Sequence, residues 1–284
     1  MTTLVFGAGF LGKRLASTLP QARLSTVDIT DAKAVFEELR THSATAVINA
    51  AGKTGHPNVD WCETHPVETW RSNVIGALNI AEACAKADAY MLHLASGCIF
   101  YGPSPSPDGW REEDFANPTS LYSRSKYAAD LMLSKMPNVS VVRLRMPVDG
   151  SPGPRNLITK LASYTSIIDV ENSVTVVDDL VHVVQTLVDR KLSGVFHATN
   201  PGVMRHRELL ELYKEYVNPL HSFELISEDA LVARGLAVKA RSNCVLSSRR
   251  LAEVGIVMRP IGEALRDAVQ RYARHARLAG PSKG

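Results

Sequence analysis

Short apolar runs alternate with helical patterns along most of this chain. Thr2 to Phe6 is a short apolar run that reads as a strand, and it ends in Gly7-Ala8-Gly9-Phe10-Leu11-Gly12. A helical pattern follows through Leu19 and is stopped by Pro20. A second helical pattern, Asp31 to Arg40, leads into Ala46-Val47-Ile48-Asn49-Ala50-Ala51-Gly52, a buried strand running into a loop. Asn73 to Ala87 predicts a helix, Tyr90 to Ala95 another buried strand, and the Gly/Pro/Ser-rich stretch from Gly102 to Gly109 a loop. Tyr122 to Met136 is helical in pattern and Val139 to Leu144 strand-like. Strands alternating with helices build βαβ units on a parallel sheet.

After Arg145 the pattern changes. Pro147, Gly150, Pro152, Gly153 and Pro154 mark a boundary, followed by a helix from Asn156 to Tyr164. Val174 to Val177 is apolar, a helix opens at Asp178-Asp179, Gly194 to Thr199 predicts a last sheet strand, and residues from Arg205 onward are mostly helical in pattern. The expected fold is α/β. A Rossmann-type doubly wound parallel sheet takes residues 1–148 and 172–203, and a smaller, mostly helical C-terminal substrate lobe takes 149–171 and 204–284.

Composition narrows the function classes. A chain of 284 residues buries a sufficient core without disulfides. With 45% hydrophobic and 21% charged residues it is an ordinary globular composition, and a net charge of +3 gives no case for nucleic acid. Arg271, Arg274 and Arg277 recur at helical spacing and read as a solvated helix face. Cys62, Cys84, Cys98 and Cys244 form no C-x-x-C pair, and His56, His65 and His93 lack ligand spacing, so no metal site is expected. With no disulfide framework, no signal-peptide pattern and no long apolar span, a cytoplasmic protein without a membrane partner is expected.

The context strand, G-x-G-x-x-G, helix points to a dinucleotide. Gly7 makes the tight turn, Gly9 lets the backbone approach a pyrophosphate, and Gly12 permits close helix–strand packing. The helix N-terminus, with Phe10 and Leu11 in its first turn, faces the phosphates. A ribose-reading acid belongs about 20 residues further on. Asp28 is nearest, yet Asp28-Ile29 reads better as an adenine-contacting turn, while Arg14 or Arg23 suits a 2′-phosphate. NADPH is therefore expected, with NADH as the alternative. Asn49, Ala50, Ala51 and Gly52 complete the expected cofactor contacts.

Tyr122 and Lys126 stand four apart, hence on one helix face. An ammonium beside a phenol lowers its pKa from about 10, and the phenol then gives its proton to a ketone oxygen as hydride arrives at the carbon. Lys126 also suits the nicotinamide ribose. Ser96 sits at the carboxyl end of its strand, where α/β sheets place ligands, and offers the ketone a second hydrogen bond. Cys98, two residues on, is expected on the same side of the strand as Ser96.

These motifs resemble the extended short-chain dehydrogenase/reductase family, and within it the dTDP-4-dehydrorhamnose reductase branch. A closer match within that branch is the bifunctional nucleotide-rhamnose synthase, a 3,5-epimerase/4-reductase. The shared stretches are Pro57-Asn58-Val59-Asp60-Trp61-Cys62-Glu63, Gly97-Cys98-Ile99-Phe100, Arg143-Leu144-Arg145-Met146-Pro147, Pro154 to Lys160, Thr199-Asn200-Pro201-Gly202 and Arg241-Ser242-Asn243. The chain departs from the group at a shortened second strand, which carries Asp28 where an Arg-Leu pair is usual. The resemblance implies a nucleotide-diphosphate sugar substrate (UDP or dTDP), a homodimer, and an epimerase pair at Cys98 and Lys160, either of which can be the base. It also implies substrate contacts at Thr54, Cys98, Arg145, Arg155, Asn156, Lys160, Asn200 and Arg241. A 4-keto sugar has acidic protons at C3 and C5, and reduction removes the carbonyl that acidifies them, so epimerisation must come first. The rivals are a reductase without epimerase activity, a 4,6-dehydratase or C4 epimerase, and a silent dinucleotide-binding subunit. Gly97-Cys98 replace the Asp-Glu of dehydratases, and the intact Tyr122/Lys126 pair argues against silence.

Overall fold

The apolar runs become the strands of one sheet. In the computed structural model, which describes residues 2–56, 58–238 and 241–278, these are β1 (Thr3–Phe6), β2 (Ala22–Ser25), β3 (Ala46–Asn49), β4 (Tyr90–Ser96), β5 (Val139–Leu144) and β6 (Gly194–His197). They lie in the order β2-β1-β3-β4-β5-β6, with parallel registers at β1–β2, β1–β3, β3–β4 and β5–β6. β1, β3, β4 and β5 are buried along their whole length, as continuous apolar runs under helices on both faces demand. β2 is the edge strand and only its last residue is buried, so its sequence carries no such run. Of the residues used in the sequence reading, Met1, Pro57, Lys239, Ala240 and residues 279–284 lie outside the described residues.

By its internal contacts the chain divides into two units: Met1–Tyr101, Glu112–Arg143 and Val181–His197 form the first, and Gly102–Arg111, Leu144–Leu180 and Ala198–Gly284 the second. These boundaries differ from those expected at 148/149, 171/172 and 203/204. Leu144 to Val148, Thr175 and Asn200 belong with the second unit because their backbone bonds run there. Thr175 N donates to Arg145 O at 2.8 Å and Asn200 N to Val174 O at 2.9 Å. The loop 102–111 joins it through Trp110 N, which donates to Val245 O at 2.8 Å.

In the first unit α1 (Phe10–Thr18), α2 (Ala32–Thr41), α3 (Gly76–Lys86) and α4 (Leu121–Leu133) flank the sheet. Its core includes Leu4, Phe6, Val47, Ile80, Met91 and Val141. A π-helical turn, Arg71–Ile75, precedes α3 where the sequence predicts one helix from Asn73. In the second unit α5 (Leu157–Ala162), the start of α6 (Val177–Arg190), α7 (His206–Tyr216) and α8 (Ile261–Leu278) surround a core of Val148, Ile158, Met204, Leu209, Leu265 and Val269. Among the described residues no helix is long and apolar enough to cross a membrane.

One buried ion pair fixes α4 to the sheet. Arg143 Nε on β5 donates to Asp130 Oδ2 on α4 at 2.9 Å, with the side chains 5% and 1% exposed. Burial pushes the Asp130 carboxyl up, and the Arg143 charge pulls it back. Removing one partner leaves the other charged and dry, which costs about 3–5 kcal/mol. Asp130→Ala is therefore expected to lose about 3–5 kcal/mol of stability in urea unfolding; a loss under about 1 kcal/mol would contradict this role for the pair.

Candidate functional site

β1 lies between β2 and β3, so the winding of the sheet reverses there, and a crevice opens outside the carboxyl ends of β1 and β3. The glycine loop fills that point. Gly7 has φ +100° and its missing Cβ would meet Ala51 N at 2.5 Å; a Cβ on Gly12 would lie 1.8 Å from Gly7 O. Both glycines are therefore required by packing alone. Gly9 is different: a Cβ there meets nothing within 4 Å, and its φ of −82° suits any residue. Gly9 is the N-cap of α1 and no side chain caps that end, so the first turn, with Phe10 and Leu11, offers its N–H groups and positive dipole end to an anion. These residues fit a dinucleotide pyrophosphate.

Asp28 lies beyond the end of β2, exposed, in a turn closed on Thr30: its Oδ1 accepts from Thr30 N and Thr30 Oγ1, both at 2.9 Å. Those bonds hold its carboxyl below the usual range. Ile29 is buried against Gly76, and its carbonyl accepts from Asn79 Nδ2 at 2.9 Å. The turn is thus fastened to α3. Arg14, on α1, is half-buried.

At the end of β4 the chain departs from the sequence expectation. The strand stops at Ser96 and Gly97–Ile99 form a 3-10 turn, so strand alternation no longer sets the direction of Cys98. The two residues meet in another way: Ser96 Oγ caps the turn, accepting from Cys98 N at 3.1 Å. Ser96 also hydrogen-bonds the Tyr122 phenol, and Cys98 lies near enough to raise that phenol electrostatically.

Ser120 caps α4, its hydroxyl accepting from Ser123 N at 3.2 Å, while Glu63 Oε1 accepts from Leu121 N at 2.8 Å. Tyr122 is thereby set in the first turn. Its pKa is raised by burial and then by Cys98, not lowered as the Tyr–Lys spacing suggests. The reason is where the lysine's nitrogen goes. Lys126 is buried, and its Nζ lies 2.8 Å from Leu94 O and 3.0 Å from His93 Nε2. Burial pulls its pKa down to about 8, with Asp130 opposing.

Asn73 escaped the sequence reading. It is buried in the π-helical turn, donates to Ser125 Oγ at 2.9 Å and Lys53 O at 3.0 Å, and accepts from Lys53 N at 2.7 Å. It joins the loop after β3, which includes Gly52 and leads to the half-buried Thr54, to α4. Asn49, fully buried, closes the start of that loop by accepting from Ala51 N at 3.0 Å. The only signal in the sequence for Asn73 is a polar residue on an otherwise apolar helix face.

In the second unit, Lys160 on α5 is half-buried; burial and the charges of Arg155 and Arg241 all lower its pKa. These three cations form one cluster. Arg145, Asn156 and Asn200, also expected at the substrate, have contacts within the chain. Arg145 is 1% exposed and donates to Asn172 Oδ1 at 2.5 Å and Ser242 O at 2.6 Å, which places Ser242 next to Arg241. Asn156 caps α5, accepting from Ile158 N at 3.2 Å and donating to Asp149 O and Ser151 O at 2.6 and 2.8 Å. Asn200 accepts from Val176 N at 2.7 Å and donates to Asp179 Oδ2 at 2.5 Å. Each is buried and ties chain segments together, which a sequence resemblance does not distinguish from ligand contact.

Comparison with known proteins places this arrangement. The model of the RmlD substrate binding domain family matches residues 1–274. A bifunctional dTDP-4-dehydrorhamnose 3,5-epimerase/dTDP-4-dehydrorhamnose reductase of Arabidopsis thaliana is 37% identical over 251 residues, covering 86% of this chain and 82% of that protein. A trifunctional UDP-glucose 4,6-dehydratase/UDP-4-keto-6-deoxy-D-glucose 3,5-epimerase/UDP-4-keto-L-rhamnose-reductase of the same plant is 39% identical, over 83% of this chain but only 36% of its own length. The crystal structure of the L780 UDP-rhamnose synthase of Acanthamoeba polyphaga mimivirus superposes with a TM-score of 0.89 at 29% identity, covering 95% of this chain and 99% of that one.

The open space before Gly9 gives a test of the pyrophosphate site. Gly9→Ala is expected to keep the wild-type melting temperature and to weaken NADPH binding, followed by nucleotide fluorescence, about tenfold or more, or about 1.4 kcal/mol. Unchanged affinity would mean that the loop holds no pyrophosphate.

Proposed function

As the chain belongs to the RmlD substrate binding domain family, we propose that it reduces the C4 ketone of a nucleotide-diphosphate 4-keto-6-deoxy-hexose with NADPH, after inverting C3 and C5 of the same sugar. The observation that carries the reading is the hydrogen-bonded Ser96–Tyr122 pair at the carboxyl end of β4, with Lys126 buried in the next turn of α4. The bifunctional Arabidopsis relative and the mimivirus UDP-rhamnose synthase support a rhamnose-type product and a UDP or dTDP carrier. The reading of NADPH rather than NADH is supported by the end of β2, which closes on Leu24-Ser25 without a carboxylate.

The dinucleotide, when bound, supplies hydride to C4. The chain's own residues do the rest. Ser96 and Tyr122 donate hydrogen bonds to O4, drawing charge onto it as C3 or C5 loses its proton. Tyr122 keeps its proton through that step, since burial holds its pKa up. In reduction Tyr122 gives the proton to O4, and the Lys126 charge stabilises the phenolate left behind. Cys98, beside Tyr122, and Lys160, whose lowered pKa makes it a better base at neutral pH, serve as the epimerising pair.

Deuterated water tests both halves. Enzyme incubated with dTDP- or UDP-4-keto-6-deoxy-glucose and no reduced cofactor is expected to place deuterium at C3 and C5. Cys98→Ala and Lys160→Met are each expected to lower that incorporation by about 10²–10⁴, and Tyr122→Phe to lower NADPH turnover by a similar factor. No deuterium in the wild-type sugar would leave a 4-reductase alone. Unchanged turnover in Tyr122→Phe would remove the phenol from the mechanism.

The expected homodimer also belongs to this reading. Val67, Trp70, Leu131 and Met132 are large apolar side chains 43–60% exposed, on the segment before α3 and on α4. Light scattering is expected to give twice the chain mass of 31.0 kDa, and Trp70→Glu with Met132→Glu to give the monomer. A wild-type monomer at micromolar concentration would refute it.

A further inference from the structure

Among the buried titratable groups of the first unit for which the mechanism above has no use, His93 lies against Lys126. His93 stands on β4, three residues before Ser96, and is 0% exposed. Both ring nitrogens are engaged: Nδ1 lies 3.0 Å from Asn49 Nδ2 and Nε2 lies 3.0 Å from Lys126 Nζ. The Asn49 amide is oriented by its oxygen, which accepts the Ala51 N–H at 3.0 Å. Its nitrogen therefore faces His93 and donates.

The proton count on this chain of groups is restrictive. A neutral imidazole carries one N–H, and a ring nitrogen that accepts cannot carry it. With the Asn49 amide donating to Nδ1, the proton sits on Nε2 and points at Lys126 Nζ. Nζ accepts that bond only as a neutral amine, still donating to Leu94 O at 2.8 Å. An ammonium has no lone pair, so a charged Lys126 needs the opposite pattern. His93 then carries its proton on Nδ1, Nε2 accepts from Nζ, and the Asn49 amide turns its oxygen to the ring. That turn takes the acceptor away from Ala51 N–H. A doubly protonated ring fits neither pattern; burial and the neighbouring Lys126 hold the His93 pKa well below its ordinary value.

We propose that His93 is a positioning residue whose tautomer follows the charge of Lys126, and that the Asn49 amide carries this change to the Ala51 N–H in the loop after β3. On going from amine to ammonium the protein takes one proton from solvent. An N–H bond forms at Nζ, the imidazole proton leaves Nε2 and a proton is held at Nδ1, and no electron is gained or lost. The inference rests on the reading of Lys126 as the partner of Tyr122. Its consequence is a link between two parts of the site. A dinucleotide group that accepts from Ala51 N–H favours the turned amide and hence the ammonium, the form that stabilises a Tyr122 phenolate. By reciprocity a charged Lys126 favours that ligand.

The other ionisable groups near this chain are known. Asp130, a turn further along α4 and bound to Arg143 of β5, favours the ammonium. Burial favours the amine, and the balance sets the lysine's pKa at about 8. Tyr122, with Cys98 and Cys62 beside it, stays neutral through this range, since burial and those thiols raise it.

The test uses the whole chain with ¹⁵N-labelled histidine and long-range ¹H–¹⁵N NMR, which reads the protonated ring nitrogen directly. His93 is expected to be neutral throughout, Nδ1–H below a pH of about 8 and Nε2–H above it. Lys126→Met is expected to hold Nε2–H at every pH, and saturating NADP⁺ to move the wild-type midpoint up by about one unit, a tenfold change in proton affinity. A single tautomer across the wild-type titration, or the same midpoint in Lys126→Met, overturns the proposal. So does a midpoint that NADP⁺ leaves in place. Asn49→Asp adds a kinetic readout. Its carboxylate accepts from Nδ1–H and Ala51 N–H together, so the alkaline fall of reductase turnover is expected to move up by about one unit; an unmoved fall in an active variant counts against it. The NMR arms need no sugar. A switching His93 in a protein that reduces no 4-keto sugar would overturn the proposed function alone, and a fixed His93 in an active reductase would overturn this inference alone.

Discussion

The site depends on where Lys126 Nζ is buried. An ammonium removed from water costs several kcal/mol unless its donors are met. Here β4 supplies both neighbours, the Leu94 carbonyl and the His93 ring, and Asp130 contributes charge from the same helix. Placing that nitrogen fixes α4 against β4. The Asp130–Arg143 pair fixes it against β5, and Asn73 with Ser125 fixes it against the loop after β3. Tyr122 then has little freedom: its helix is capped by Ser120, held by Glu63, and its phenol is met by Ser96. Thus one helix carries, four residues apart, a phenol kept protonated by burial and a lysine whose charge is finely balanced.

Much of this was legible in the sequence because burial leaves a mark there. β1, β3, β4 and β5 are covered on both faces and read as unbroken apolar runs. β2 lies at the edge, carries Arg23 outward, and leaves only a weak trace. The glycine loop was readable because Gly7 and Gly12 are demanded by backbone contact. The Tyr122/Lys126 spacing placed both residues on one helix but misjudged the electrostatics of the phenol, since spacing says nothing of what else Nζ touches. Period-two reasoning failed at Cys98 because β4 had already ended in a turn capped by Ser96.

Polar residues buried by tertiary contact were the least visible. Asn73 meets Ser125, Glu63 meets Leu121 and His93 meets Lys126 across 52, 58 and 33 positions of sequence, so the local pattern says little of them. Arg145, Asn156 and Asn200 fall in shared stretches, and their side chains tie chain segments of the second unit together. Residues that hold a site and residues that touch its ligand are equally constrained, and only their hydrogen-bond partners separate them.

The two proposed reactions ask different things of one phenol. Enolate formation needs a donor that keeps its proton, because a full transfer to O4 would trap the enol. A raised Tyr122 pKa suits that step. Reduction needs the same proton to leave, and a phenolate in this dry place forms only beside a positive charge. A lysine near the midpoint of its titration at working pH is suited to both, provided its charge answers to what the loop after β3 holds. His93 is the group that connects them: it touches Lys126 on one side and, through Asn49, the Ala51 N–H on the other. In the proposed function inversion precedes reduction because reduction removes the carbonyl that acidifies C3 and C5.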